Sequence, residues 1–229
     1  QYGIAINIHV AETMDEIRTV RARWDRTPVE YLDELGLLKP STLAVHCVHV
    51  DDNDISIMRR AGISVAHNPH SNMKLASGVS PVAKMRGAGI NVAIGTDGPS
   101  SNNDLDMWEE MRTASFLQKL SVGDTTVMPA YEVLEMVTVN GARAIGVEDK
   151  VGRLKAGMLA DVIVLDIDKP HMYPQHDMVA NLVYCGKAGD VDMVIVGGDI
   201  VVEGGETVYL DSRAICYGTQ ARVEEILKR

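Results

Sequence analysis

The chain has 229 residues, 46% hydrophobic and 24% charged, an ordinary globular composition sufficient for one large domain with a small appendage. Its formal net charge of −10 repels nucleic-acid phosphates and anionic membrane surfaces, so neither a nucleic-acid nor a membrane partner is expected. Cys47, Cys185 and Cys216 are widely spaced and form no Cys-x-x-Cys pair, which excludes a cysteine zinc knot, disfavours a disulfide scaffold and points to a reducing cytoplasm.

The elements follow one rhythm: a short apolar strand, a polar tip, then a helix. Ile4 to Ile8 leads into His9, and Thr13 with Glu16 makes a capping-box pattern for the helix that follows. Thr27-Pro28 starts a further helical piece that Gly36 can close. Leu43 to Val45 leads into His46, with a helix expected from about Asp52 to Ala61. Ile63 to Ala66 leads into His67, then a polar loop and a helix begun by Ser80-Pro81. Ile90 to Ile94 leads into Gly95-Thr96-Asp97, then a long helix over roughly Leu105 to Leu120. A final helical stretch runs from Pro129 to about Gly146, with an interruption expected at Asn140-Gly141. Beyond Lys150 the texture becomes β-rich: a strand over Asp161 to Leu165, a hairpin around Gly197-Gly198, and a closing helix over Ser212 to Leu227. No apolar stretch reaches the roughly 20 residues that span a bilayer, and no signal peptide is recognisable. Gln1 lies almost against the first strand-like run, so the natural chain is expected to begin further upstream.

Strands alternating with helices predict a parallel α/β architecture, in which strand C-terminal ends converge on one ligand-binding face. Four of them end in His9, His46, His67 and Asp97. A single histidine at a strand end is ordinarily a hydrogen-bonded structural residue, and Asp before Gly is ordinarily a turn former. Four such residues on one face are poorly explained by packing, and imidazole with carboxylate suits zinc. Glu12, just past His9, is either a helix N-terminal acid favoured by the macrodipole or a proton shuttle beside the centre. Asn68, Ser71 and Asn72 after His67, and Ser101, Asn102 and Asn103 after Asp97, are candidate substrate contacts on polar loops. Met107, Met111 and Met136 lie at helical spacing and read as core.

Ile8-His9-Val10-Ala11-Glu12-Thr13, Val45-His46-Cys47, Ala66-His67-Asn68-Pro69 with Ser71-Asn72, and Gly95-Thr96-Asp97-Gly98 with Ser101-Asn102-Asn103 resemble the amidohydrolase superfamily. The nearest resemblance is to its 5′-methylthioadenosine/S-adenosylhomocysteine deaminase group. Val151-Gly152-Arg153-Leu154 through Ala160-Asp161 looks like that superfamily's return into a β-sandwich, and Lys169-Pro170-His171, Tyr173-Pro174 and His176-Asp177 are similar to the same deaminases.

The resemblance implies a fold made of the second half of a (β/α)8 TIM barrel, strands five to eight, over residues 1–146. A β-sandwich segment with a C-terminal helix would occupy 147–229. It implies one zinc per site, with iron as the alternative, held by His9, Asp97 and His46. Glu12, His46 and Asp97 would be catalytic, and Glu12, His46, His67, Asp97, Ser101 and Asn102 would contact substrate. The implied activity is deamination of a small nucleoside of adenosine type to the inosine analogue and ammonia, by a homo-oligomer. The His-x-His pair of the family's first barrel strand has no counterpart in the chain, so a missing N-terminal half is expected to supply it. Other amidohydrolase reactions (guanine or 8-oxoguanine deamination, chloro-triazine hydrolysis) share this catalytic end. A non-catalytic scaffold that has lost the first ligand pair is the reading from outside the enzymes.

Overall fold

A computed structural model describes residues 4–228. Two compact units emerge: one runs through Met158 and takes in His171–Ala188, the other comprises Leu159–Pro170 and the chain from Gly189 onward.

The first unit is built on a parallel sheet of four strands in sequential order: β1 (Ile6–Val10), β2 (Thr42–His46), β3 (Ser64–His67) and β4 (Asn91–Ile94). Local chemistry sets the helices between them. Thr13 caps α1 (Met14–Trp24) by accepting from the Glu16 N–H. Glu16 does not close a capping box; its two oxygens accept from the N–H groups of Ala11 and Glu12 instead. Full capping boxes start α2 (Pro28–Glu34), from Thr27 and Glu30, and α3 (Asp52–Ala61), from Asp51 and Asp54. Gly62, at φ +70°, ends α3 in the left-handed conformation that a residue without Cβ adopts most easily.

The expected polar loop after His67 is instead a short helix, α4 (Pro69–Lys74), begun by Pro69, whose fixed φ suits a first helical position. Next come α5 (Val82–Gly87), a further short helix α6 (Pro99–Asn102) in the loop after β4, and α7 (Met107–Val122). The next helical stretch breaks at Thr138, not at Asn140-Gly141, giving α8 (Ala130–Val137) and α9 (Val139–Ala144). Asn140 remains helical because it ties α9 to the sheet: its amide donates to Val92 O, and its carbonyl accepts from Asn91 Nδ2. A helix unforeseen from sequence, α10 (Met178–Tyr184), also belongs to this unit.

Val65, Val92, Met58, Met85, Met136 and Val183 are fully buried between the sheet and its helices. Met111 is buried with them and Met107 packs at the margin.

The second unit carries an antiparallel sheet in the order β5 (Val162–Leu165), β6 (Val191–Val196), β7 (Asp199–Glu203) and β8 (Glu206–Thr207), followed by α11 (Ser212–Leu227). Gly197 and Gly198, both at positive φ, make the two-residue turn that pairs Val196 with Asp199. The chain is thus mixed α/β, with one parallel and one antiparallel sheet. Among the described residues no helix is long and apolar enough to cross a membrane.

Candidate functional site

The parallel register sets the strand ends side by side. His9 pairs with Val45, so His46 lies one step further along the sheet, opposite Val10. His67 pairs with Ile94, and Asp97 follows just beyond that strand. The ligand atoms of His9, Glu12 and His46 all lie within 4.8 Å of one another. His46 Nε2 is 3.7 Å from Glu12 Oε2 and 4.0 Å from Asp97 Oδ2. The His9 and His46 rings meet edge to face with centroids 4.8 Å apart.

His46 is fully buried. Its Nδ1 donates to Asn72 Oδ1 at 2.9 Å, which leaves the lone pair on Nε2. That nitrogen has no hydrogen-bond partner. His46 and Cys47 both adopt positive φ, at 72° and 48°. Non-glycine residues in that region cost about 1–3 kcal/mol each and persist only where the surroundings hold them. Here the Cys47 N–H donates to Val10 O, and Ser80 Oγ donates to Cys47 O.

Glu12 is aimed by its neighbours. Glu16 holds the N–H groups of Ala11 and Glu12, the Ala11 carbonyl accepts from the N–H groups of Val48 and His49, and Ser77 Oγ donates to Glu12 Oε1 at 3.2 Å. Asp97, also at positive φ, receives two hydroxyls on one oxygen: Ser71 and Ser101 each donate to Oδ2 at 2.7 Å. Burial pushes its carboxyl up, but the combined pull of Ser101, Ser71, the Gly98 N–H and His46 holds it below the ordinary aspartate range. Asn68, with its amide oxygen toward Asp97, accepts from the Asp97 N–H at 2.7 Å and donates to Ala66 O at 2.9 Å.

His67 is fully buried with neither ring nitrogen hydrogen-bonded, and burial, followed by the nearby His46, pushes its pKa down to about 3. It is a neutral imidazole near pH 7. Asn102 is buried, and its amide is used within the protein: Nδ2 donates to Thr96 O and Glu110 Oε1, and Oδ1 accepts from the N–H groups of Asp104 and Leu105. Asn103 Oδ1 pairs with Lys74 Nζ. Ser77 and Glu110 escaped the sequence reading; a serine in a polar loop and an acid in a first helical turn carry no local signal of a site.

Two imidazoles and two carboxylates around a bare, buried ring nitrogen fit a zinc-type cation. An unpaired buried acceptor ordinarily costs about 1–3 kcal/mol, a cost that an ion at His46 Nε2 would relieve.

Residues 1–201 match the amidohydrolase family. The chain is 49% identical over 227 residues to a 5-methylthioadenosine/S-adenosylhomocysteine deaminase of Pelotomaculum thermopropionicum, covering 99% of this chain and 52% of that protein. It is 45% identical over 229 residues to a 5′-deoxyadenosine deaminase of Methanosarcina mazei, covering 100% and 52%. Among solved structures it is similar to an adenosine deaminase from Xanthomonas campestris with bound zinc, at 34% identity and TM-score 0.96 over 99% of this chain and 52% of that one. An atrazine chlorohydrolase from Arthrobacter aurescens TC1 complexed with zinc gives 25% identity and TM-score 0.90 over 96% and 49%. The chain spans about half the length of the curated relatives it matches.

Proposed function

The chain belongs to the amidohydrolase family, and from that premise we propose that it carries part of the active site of a hydrolytic deaminase of adenosine-type nucleosides. In this reading β1 to β4 are strands five to eight of a (β/α)8 barrel, the unit made of Leu159–Pro170 and the chain from Gly189 onward contributes a β-sandwich segment and closing helix, and the remainder of a longer polypeptide completes the barrel. Support for the substrate class comes from relatives at 45–49% identity that are deaminases of 5-methylthioadenosine/S-adenosylhomocysteine and of 5′-deoxyadenosine. The observation that carries the catalytic reading is the convergence of His9, Glu12 and Asp97 on the unpaired Nε2 of buried His46. The free thiols of Cys47, Cys185 and Cys216 support a reducing cytoplasm as its compartment.

His9, His46 and Asp97 would hold the ion, zinc by donor type with iron as the alternative. Bound there, it supplies Lewis acidity that brings an attacking water toward deprotonation at neutral pH. Asp97 accepts the proton of that water on a carboxylate kept ionised by its two serines. Glu12 delivers a proton to the purine ring nitrogen beside the carbon under attack, which makes that carbon electrophilic. His46, holding the ion through its Nε2 lone pair while Asn72 fixes its ring, would set where the attacking water and the developing oxyanion lie. Asp97 passes the proton it took from water to the amino group, the C–N bond breaks to release ammonia, and the hydroxyl proton returns to Glu12 as the carbonyl of the inosine analogue forms.

The test uses the full-length protein and a panel of adenosine, 5′-methylthioadenosine, S-adenosylhomocysteine, guanine and a chloro-triazine, scored for ammonia and chloride release. Ammonia from the adenosine compounds is expected. Glu12→Gln should keep the metal while losing about 10²- to 10⁴-fold in kcat, the usual contribution of a general acid. Near-normal turnover of that variant removes Glu12 from the reaction. The resemblance to the zinc-complexed atrazine chlorohydrolase favours chloro-triazine hydrolysis as the second reading, and chloride without ammonia would decide for it. Absence of both metal and turnover would decide for a scaffold.

A further inference from the structure

The carboxylate of Glu110 lies on α7 with its side chain fully buried. A charge in that position persists only where donors surround it, and here they come from two different loops. Oε2 accepts from the backbone N–H of His70 at 3.3 Å, and the His70 ring nitrogen Nδ1 lies 3.5 Å from Oε1. Oε1 accepts from Asn102 Nδ2 at 2.5 Å. His70 belongs to α4, which follows β3, whereas Asn102 ends α6, which follows β4. Each of these partners is adjacent in sequence to a serine that donates to Asp97 Oδ2: Ser71 beside His70, and Ser101 beside Asn102. Asn102 also holds the residue before Asp97, donating to Thr96 O at 2.7 Å. The Asp97 backbone itself sits at φ +60°, a conformation its own preferences do not favour.

We propose that Glu110 is a positioning residue: by pinning the loops after β3 and β4 together, it sets Ser71 and Ser101 on Asp97 and so aims that carboxylate into the site. The hydrogen bonds and ion pair of Glu110 go to His70 and Asn102, not to the residues that converge on His46, so it acts through two hydroxyls. The inference rests on the reading of Asp97 as metal ligand and proton acceptor. Replacing one oxygen of Glu110 by an amide group sets a donor against Asn102 Nδ2 or the His70 N–H, which opens one arm of the clamp without changing its size.

The experiment uses full-length, zinc-loaded protein with 5′-methylthioadenosine as substrate and EDTA as chelator. Glu110→Gln should lower kcat by about 10- to 100-fold with KM within about threefold, as misplacement of a reacting group does. It should also speed zinc loss to EDTA at a temperature where the variant remains folded. The Ser71→Ala/Ser101→Ala double variant should show the same two effects. Because Glu110 acts through these serines, combining all three substitutions should cost no more than the worse of the two parents. Multiplicative losses, or wild-type kcat and zinc retention in Glu110→Gln, overturn the proposal. Should Glu110→Gln not fold, Asn102→Ser replaces it in the same cycle; a raised KM with unchanged kcat there makes Asn102 a substrate contact and overturns the clamp. Asp97→Asn runs alongside. If it remains active, the deaminase reading of the site falls and the clamp falls with it. If it is dead while Glu110→Gln is unaffected, only the clamp falls.

Discussion

Replacing His67 by leucine removes a buried ring whose two nitrogens both lack hydrogen-bond partners, so no bond is lost with it. Burial, then the neighbouring His46, lowers the His67 pKa from 6.5 to about 3. At pH 5 the folded chain therefore keeps this ring neutral, whereas the unfolded chain protonates it. The unfolded state binds the extra proton, so the stability linked to His67 is full above pH 6.5 and is lost progressively as the pH falls toward 3. At about 1.4 kcal/mol per pH unit for one proton, going from pH 7 to pH 5 costs about 2 kcal/mol. Urea unfolding of metal-free protein at the two pH values, for wild type and His67→Leu, reads this quantity together with its coupling to His46, because titrating groups that do not interact with His67 cancel in the double difference. The wild type should lose about 2 kcal/mol more than the variant. Parallel losses would mean that His67 titrates alike in both states, and the burial argument would be wrong.

Met58 is fully buried in the core, so Met58→Ala should cost about 2–5 kcal/mol as a lower urea midpoint at unchanged slope; a loss below about 1 kcal/mol would mean the site collapses freely. A Cβ on Gly186 would lie 2.6 Å from Leu182 O and 2.7 Å from Trp108 Nε1. Gly186→Ala should therefore destabilise by about 1–3 kcal/mol and shift Trp108 fluorescence, and wild-type values of both would contradict the packing. Chelation should abolish turnover and zinc should restore it; turnover surviving exhaustive chelation would remove the metal from the mechanism.

Much of the fold was readable in the chain because it is encoded locally. Asp51 and Asp54 at one end and Gly62 at the other bound α3, and the Gly197-Gly198 turn sets the β6–β7 hairpin, all through contacts within a few residues. The strand ends were readable for the same reason, since each apolar run stops at one ionisable residue. Short helices were not. The six residues of α4 are too few for an apolar periodicity to register, and their polar character reads as loop. The break at Thr138 escaped because Asn140 and Gly141, poor helix residues by propensity, remain helical once Asn140 is bonded to β4.

What the sequence determined by itself was the supply of chemistry: which imidazoles and carboxylates stand at strand ends, and therefore on one face. Tertiary structure alone decided how each is used. Glu12 and Glu110 are both acids that first-turn helix preferences would explain, yet one lies beside His46 and the other is sealed beneath two loops. The difference arises from strand register and from the packing of α4 and α6 on α7. These are long-range contacts, and a spacing rule within one segment contains no term for them.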